Sequence, residues 1–388
     1  MKKILIVALV FGLFALPVMA QVEAGAGKIT VHINIDFLGR YIAESETDNP
    51  NTADLNGPYG INAWRDLVDT DDLSQPQVED FIIRDTILSL GGELSDKISW
   101  ELTSMWAEEP EILTAKIDLK LIPMTTLTVG RFIPDQGKAF QYHILSRVHT
   151  IYLPMAAMTP NYGAPENTGA FLVPFWQTGV QTSVGNEKAH VSLGYFNGLE
   201  PQLIPGIPPI PDMLDMPGAT SFMELDNSKA FLAKGAVNVS GFEAGIHWWD
   251  EYANVEHYLF ATDDAHINIY GAYVGYNHEK FHILAEYLEN NINFLDSGWD
   301  NLQQNDWYAQ LGVSPVNAFE LVFRYEAMDG ADLRRDSFFN DEETWITLGA
   351  NYYILNKNAA VAVQHIWKDH DELEWNDNEL NFLVEVDL

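Results

Sequence analysis

Residues 29–37 read Ile29-Thr30-Val31-His32-Ile33-Asn34-Ile35-Asp36-Phe37. Apolar side chains occupy every second position with polar ones between them, the two-residue period of a strand with one apolar and one polar face. The period returns along Leu113–Leu121, with Lys116, Asp118 and Lys120 on the polar side. It returns again along Phe281–Tyr287, where Leu288 breaks the polar side, along Trp307–Val313, and along Phe319–Tyr325 against Glu320, Arg324 and Glu326. The chain ends the same way, with Leu380, Phe382, Val384, Val386 and Leu388 opposed to Asn381, Glu385 and Asp387. Turn signals between such runs place sixteen strands, starting near residues 28, 78, 97, 112, 126, 171, 188, 228, 242, 266, 280, 306, 317, 343, 358 and 378.

The connections carry as much information as the strands. Tight ones, around 92–96, 122–125, 185–187, 239–241, 277–279, 314–316 and 356–357, alternate with mostly longer ones over 42–77, 107–111, 134–170, 198–227, 253–265, 291–305, 328–342 and 369–377. That interleaving is the parity of an even-stranded membrane barrel with short turns at one end and long loops at the other. Trp and Tyr gather near strand ends (Tyr41, Trp100, Trp106, Trp176, Trp248, Trp249, Tyr252, Trp345, Tyr352, Trp367), as interfacial girdles require. A soluble β-sandwich array shares the alternation but has no reason for the loop parity. The expected fold is therefore all-β: a transmembrane antiparallel up-and-down β-barrel of about sixteen strands, with long outer loops.

Composition agrees. The 388 residues carry 56 acidic and 21 basic side chains, a net charge of −35, which opposes a nucleic-acid partner because phosphate binding needs Lys and Arg. There is no cysteine, so thiolate metal sites, Cys nucleophiles and attached c-type haem are excluded, and no cofactor is expected. Met1-Lys2-Lys3, an apolar stretch from Ile4 to Val18, and Val18-Met19-Ala20 form an export signal, residues 1–20, too short to span a bilayer. The barrel is assigned to residues 21–388, where no second long apolar run occurs, so any membrane crossing is by strands. Seven of the eight longer connections carry a summed charge of −28, out of −37 for residues 21–388. The exception, 134–170, is neutral: Asp135 and Glu166 balance Lys138 and Arg147, and it also holds His143 and His149.

The stretch Leu127-Thr-Val-Gly-Arg-Phe-Ile-Pro-Asp-Gln-Gly137 resembles the G-R/Q-F-K-x-P-F-G segment of the phosphate-selective porin O and P family. The signal, the strand count and the amphipathic last strand agree with that class over the whole chain. The resemblance implies a passive pore, a third loop (134–170) folded inward so that it narrows the lumen, and a homotrimer. Two departures stand out: few bases are available for a basic ladder along the pore, and the chain ends on Leu388 where such barrels usually end on Phe.

Other motifs reduce to bland roles. His278-Glu-Lys-Phe-His282 matches the H-E-x-x-H zinc pattern, but in a strand its histidines stand about 13 Å apart at about 3.3 Å per residue, too far for one metal. His370-Asp371 and Asp263, Asp264 and His266 pair acids with histidine, yet no G-x-S-x-G nucleophile motif accompanies them. Gly25-Ala-Gly-Lys28 lacks the rest of a phosphate loop; Asp66, Asp69, Asp71 and Asp72 lack EF-hand spacing; and the prolines of 205–217 stiffen a surface loop.

The functional expectation is a non-enzymatic porin for ions or small hydrophilic solutes, with outer-membrane lipid and lipopolysaccharide as surroundings. Lys138, His143, Arg147 and His149 are the candidate constriction; Lys116, Asp118, Lys120, Arg131, Glu320, Arg324 and Glu326 are the candidate wall. Acidic outer loops favour a weak cation preference, whereas the family resemblance pulls toward anions or phosphate. A non-conducting barrel that binds divalent ions or sheaths a partner is the expectation from another class.

Overall fold

A computed structural model describes residues 21–24, 27–42, 78–106, 110–141, 150, 176–198, 229–254, 264–294, 302–329, 342–354, 359–370 and 378–387. A short strand β1 (Gln21–Ala24) folds back on the start of β2 (Gly27–Ile42), a hairpin the alternation did not indicate. The barrel strands that follow are β3 (Val78–Ser95), β4 (Ile98–Trp106), β5 (Pro110–Ile122), β6 (Thr125–Phe132), β7 (Gln177–Asn186), β8 (Ala189–Phe196), β9 (Lys229–Val239) and β10 (Phe242–Asn254). The second half comprises β11 (Asp264–His278), β12 (Phe281–Phe294), β13 (Leu302–Val316), β14 (Phe319–Asp329), β15 (Glu342–Ile354), β16 (Ala359–His370) and β17 (Glu379–Asp387). The sixteen strands β2–β17 match the expected set, and only β7 begins well away from its expected start, at Gln177 rather than near 171.

Each strand pairs antiparallel with its neighbours in chain order. The two halves meet at Ile246↔Gly235, and the last strand returns to the first at Phe382↔Gly39 and Leu380↔Tyr41. The ladder thus runs round a ring, and the backbone groups that a free edge would leave unpaired are used. Among the described residues no helix is long and apolar enough to cross a membrane, which says nothing about strands. At the tight end, Gly241 has φ 84° and accepts a hydrogen bond from the Asn277 N–H at 2.7 Å; a Cβ there would lie 2.3 Å from the Asn277 carbonyl oxygen.

Alternation sorts the side chains. Ile246, Val274, Ile283, Leu311, Leu321 and Leu348 are exposed outward, while His247, Glu286, Gln310, Arg324 and Asn351 from the same strands are buried on the inner face. Two departures have local causes. A register shift between Thr103 and Ser104 leaves Leu113 buried while Ile112 is exposed, so Leu113 does not continue the outward row of Ile117 and Leu121. Leu284 and Leu288 lie inside, where they meet Tyr273, Tyr308 and Ala139 instead of water.

The outward row should tolerate charge according to depth. Ile246→Arg is expected to lower stability by about 2–4 kcal/mol, and Val239→Arg, at the turn end, by no more than about 1 kcal/mol. Urea titration of the protein refolded into lipid vesicles measures both; equal costs would contradict the assigned faces.

Candidate functional site

The segment after β6 turns into the barrel. Gln136 N–H donates to the Pro134 carbonyl at 2.8 Å, and a single helical turn, α1 (Lys138–Gln141), follows. Asp135 is held by the three strands next round the wall. Its backbone N–H donates to Gln181 Oε1 of β7 at 2.9 Å, and its carboxylate accepts from Ser192 Oγ and His190 Nε2 of β8 at 2.7 and 3.1 Å. The Lys234 ammonium of β9 completes the set as an ion pair.

Three residues on, Lys138 Nζ pairs with Glu243 of β10 at 2.7 Å. The Lys138 and Ala139 N–H groups then donate to the two oxygens of Glu286 in β12, each at 2.7 Å, and Tyr308 Oη of β13 donates to the same carboxylate at 2.8 Å. A Cβ at 137 would stand 1.9 Å from Glu286 Oε1, so any larger residue there would displace that carboxylate. Farther along, Arg324 Nη1 of β14 donates to Thr150 Oγ1 at 2.7 Å and pairs with Glu326 at 3.1 Å. Asp135, Lys138, Ala139 and Thr150 are therefore held at the inner wall by strands from β7 round to β14.

Apolar packing reinforces the polar anchors. Ala139 and Ile133, with Trp176 from the start of β7, pack on Ala236, Tyr273, Leu284, Leu288 and Tyr308. The break in alternation at Leu288 is the seat of this segment. Phe132 meets Phe196 edge-on at 5.6 Å, and Phe196 stacks on Trp249 at 5.5 Å. The ammonium groups of Lys138 and Lys234 lie 5.2 and 5.5 Å from the centre of the Tyr273 ring, two cations at one aromatic side chain with Glu243 and Asp135 as counter-charges.

Burial opposes ionisation of Asp135, but the hydrogen bond from His190, the Lys234 charge and bond, and the Ser192 hydroxyl outweigh it and hold the carboxyl well below its ordinary 3.8. A depressed carboxyl contributes its stabilisation above the unfolded value and loses it only as pH falls through the folded one. This anchor therefore persists through mild acid.

The candidate constriction residues divide. Lys138 is at the anchor just described, whereas His143, Arg147 and His149 lie outside the described residues. Among the wall candidates, Lys116 and Asp118 retain 26% and 24% side-chain exposure; Lys116 pairs with Glu101 at 3.1 Å, and Thr128 donates to Asp118 at 2.6 Å. Lys120 is exposed near the turn end, where it borders a cleft of about 610 Å³ with Lys97, Thr126, Ser183 and His190.

Glu320, Arg324 and Glu326 are buried. Glu320 accepts from Asn351 and Tyr353 at 3.1 and 2.8 Å. Arg131 differs from the rest: its register partners are Ala115 and Thr178, so it shares the strand face of Ile117 and Val129 rather than that of Lys116 and Asp118. It is buried there, with Nε donating to the Ile112 carbonyl at 3.2 Å. The inner face is thus partly accessible along β4–β6 and covered from β9 round to β17.

The other motifs separate in space. His278 ends β11 with its ring stacked on Phe281, while His282 faces inward beside Gln310 at 3.2 Å and Glu320 at 3.5 Å, so the two share no metal position. Among the described residues no group of three His, Cys, Asp or Glu side chains is placed to hold a metal. His266 pairs with Asp250 on the outward face. Asp263, Asp371, the 66–72 aspartates and the prolines of 205–217 lie outside the described residues.

Sequence reading missed Asp135, His190, Ser192, Lys234, Glu243, Glu286 and Tyr308. The partners stand 55 to 148 positions apart in the pairs His190–Asp135 and Glu286–Lys138, and no local spacing signals that distance. The polar inner faces of β8–β12 were the available hint.

No protein-family description and no curated protein matches the sequence. Solved structures do match the fold. An anion-selective porin from Comamonas acidovorans superposes with a TM-score of 0.65 at 10% identity, over 93% of this chain and 100% of that one. The outer membrane channel DcaP of Acinetobacter baumannii gives 0.59 at 11%, over 95% and 100%. The in-vitro folded outer membrane protein OmpT of Vibrio cholerae, in trimer form, gives 0.57 at 8%, over 94% and 100%. The chain has the barrel architecture of these porins and channels.

Glu286→Gln puts an amide N–H against a backbone N–H, so the segment should open about 1–3 kcal/mol more easily. Limited proteolysis of the refolded barrel should then cut within 134–150 about tenfold faster. Asp135→Asn should act similarly at pH 7, whereas in Glu286→Gln, which removes the other carboxyl that holds the segment, cleavage should not quicken further between pH 7 and pH 5. Further loosening of that variant by pH 5 would contradict the depressed Asp135 carboxyl.

Proposed function

We propose that this protein is a porin of the bacterial outer membrane, a barrel through which ions or small hydrophilic solutes diffuse passively. The observation that carries the reading is the pinning of residues 135–139 and of Thr150 to the inside of a closed, outwardly apolar barrel whose inner face is lined by charged and amide side chains. Such a wall replaces hydrocarbon with polar groups, and an internal crosspiece sets bore and local charge. The reading supplies no catalytic step: Ser192 and His190 both bind the same Asp135 oxygen instead of forming a nucleophile–base pair.

The acidic outer loops support a weak cation preference, because a vestibule of one sign concentrates counter-ions within about 8 Å at physiological salt. The accessible lysines at 97, 116 and 120, with the resemblance of Leu127–Gly137 to the phosphate-selective porin O and P segment, favour the anion or phosphate alternative. The proposed constriction comprises Lys138 with His143, Arg147 and His149, and the proposed wall comprises Lys116, Asp118 and Lys120. Residues 1–20 act as the export signal, and lipopolysaccharide and lipid surround the barrel. A homotrimer is proposed because the Vibrio cholerae OmpT fold occurs in trimer form.

Burial of the inner face from β9 to β17 favours a third reading, a barrel that does not conduct. Recording the purified protein in a planar bilayer separates the three. Stepwise conductance with a cation-signed reversal potential in a KCl gradient is the expected result, and Lys116→Gln with Lys120→Gln should move it further toward cations. An anion-signed potential selects the phosphate-type alternative, and the absence of steps selects the non-conducting barrel.

A further inference from the structure

The outward wall changes character on β10–β13 at the end leading into the longer connections. Near the tight turns the outward positions are Ile246, Ala272, Val274, Ile283, Leu311 and Val313. Beyond Trp248 they become a connected polar network. Asp250 pairs with His266 Nε2 at 2.7 Å, and the His266 ring lies parallel to Tyr252 with centroids 4.2 Å apart. Asn268 Nδ2 stands 3.1 Å from His266 Nε2, and the Trp248 indole N–H donates to Asn268 Oδ1 at 3.4 Å.

One strand on, Tyr287 Oη lies 3.0 Å from both Glu289 Oε2 and Asn305 Oδ1, and Asn291 Nδ2 donates to Glu289 Oε1 at 2.8 Å. The ladder joins the two groups into one patch, because Asp250 is level with Asn268 and then Asn291, and Trp248 with Tyr270, Glu289 and Asn305.

Height places the patch. Asp250 is eight residues beyond Phe242, about 26 Å along the strand and about 20 Å in height at a tilt near 40°. That is close to the upper edge of an apolar band about 25 Å tall, at the level of outer-leaflet headgroups. An aromatic girdle alone explains Trp248, Tyr252, Tyr270, Tyr287 and Trp307, each 37–57% exposed. It does not explain carboxylates directed outward at the same level, where a bare charge is costly.

Carboxylate and amide acceptors fixed beside exposed aromatic faces are the chemistry that holds a pyranose ring: the acceptors take its hydroxyls and the aromatic face covers its C–H side. We propose that this patch, centred on Asp250, Glu289 and Asn291 with Trp248 and Tyr252 and braced by the buried Asn268, binds the sugar headgroup of an outer-leaflet glycolipid. The assignment rests on the outer-membrane reading given above. Lys229, level with Tyr252 in the ladder, is the neighbouring base that a headgroup phosphate would use.

The test uses the full chain in detergent and native mass spectrometry, with EDTA present, against three probes: a neutral diglycosyl diacylglycerol, a phosphorylated disaccharide lipid and phosphatidylglycerol. Wild-type protein should retain both sugar lipids over phosphatidylglycerol. Asp250→Asn with Glu289→Gln should weaken that retention about tenfold, the loss of two charge-assisted hydrogen bonds. Tyr252→Ala should weaken it too, which keeps the proposal testable if the double variant does not fold, and Val363→Ala on β16 should leave it unchanged.

Retention of the phosphorylated lipid alone, equal retention of all three probes, or variants indistinguishable from wild type would overturn the proposal. Planar-bilayer conductance and membrane fractionation, measured on the same preparations, report the porin reading separately. A barrel that binds sugar lipid without conducting would uphold the patch while removing the pore.

Discussion

Closure of the ladder between β17 and β2 is the constraint on which the rest of this barrel depends. In hydrocarbon no water is present to satisfy an edge, so an open strand at Phe382 or Gly39 would leave a row of N–H and C=O groups unpaired, at several kcal/mol each. With the ring closed, backbone pairing is independent of side chains, and each strand can give one face to the outside and the other to the inside. That freedom allows Ile246 and His247, or Leu311 and Gln310, to be neighbours in sequence with opposite surroundings.

The inside is organised by charge pairing. Lys234 with Asp135, Lys138 with Glu243, Arg324 with Glu326 and Lys368 with Glu379 each join a base to an acid across the inner surface. Buried ion pairs contribute little net stability but are costly to break, so they specify where a segment sits more than they strengthen the fold. Glu286 shows the principle most clearly: its two oxygens take two backbone N–H groups and a tyrosine hydroxyl, which compensates its burial and ties α1 to β12 and β13. Leu284 and Leu288 supply an apolar bed beneath the same turn. Polar anchors give direction, and apolar contact gives area.

Charge is distributed by region. Most of the excess acid belongs to the longer connections, while on the inner wall Glu101, Asp118 and Glu243 have bases beside them and Glu286 and Glu320 are held by neutral donors. The lipid-facing wall carries charge where neighbours donate hydrogen bonds to it, as at Asp250 and Glu289. The net charge is thus a property of one end of the barrel, with consequences for what approaches that mouth.

Strand period, loop parity and the neutrality of 134–170 were legible in the sequence, because a two-residue alternation directly records which face meets hydrocarbon, and loop length records which end a strand leaves from. Barrel class and strand number follow from those local patterns, and the inward segment from the resemblance carried by Leu127–Gly137. The partners of that segment do not: Asp135 finds Lys234 and Lys138 finds Glu243 only after the ring closes and brings distant strands to one inner surface. The face of Arg131, the burial of Leu113 beside a register shift and the outward placement of Asp250 with His266 were likewise decided by the tertiary structure. Register between strands and the curvature of a closed sheet set those contacts, and neither is written in the alternation of a single strand.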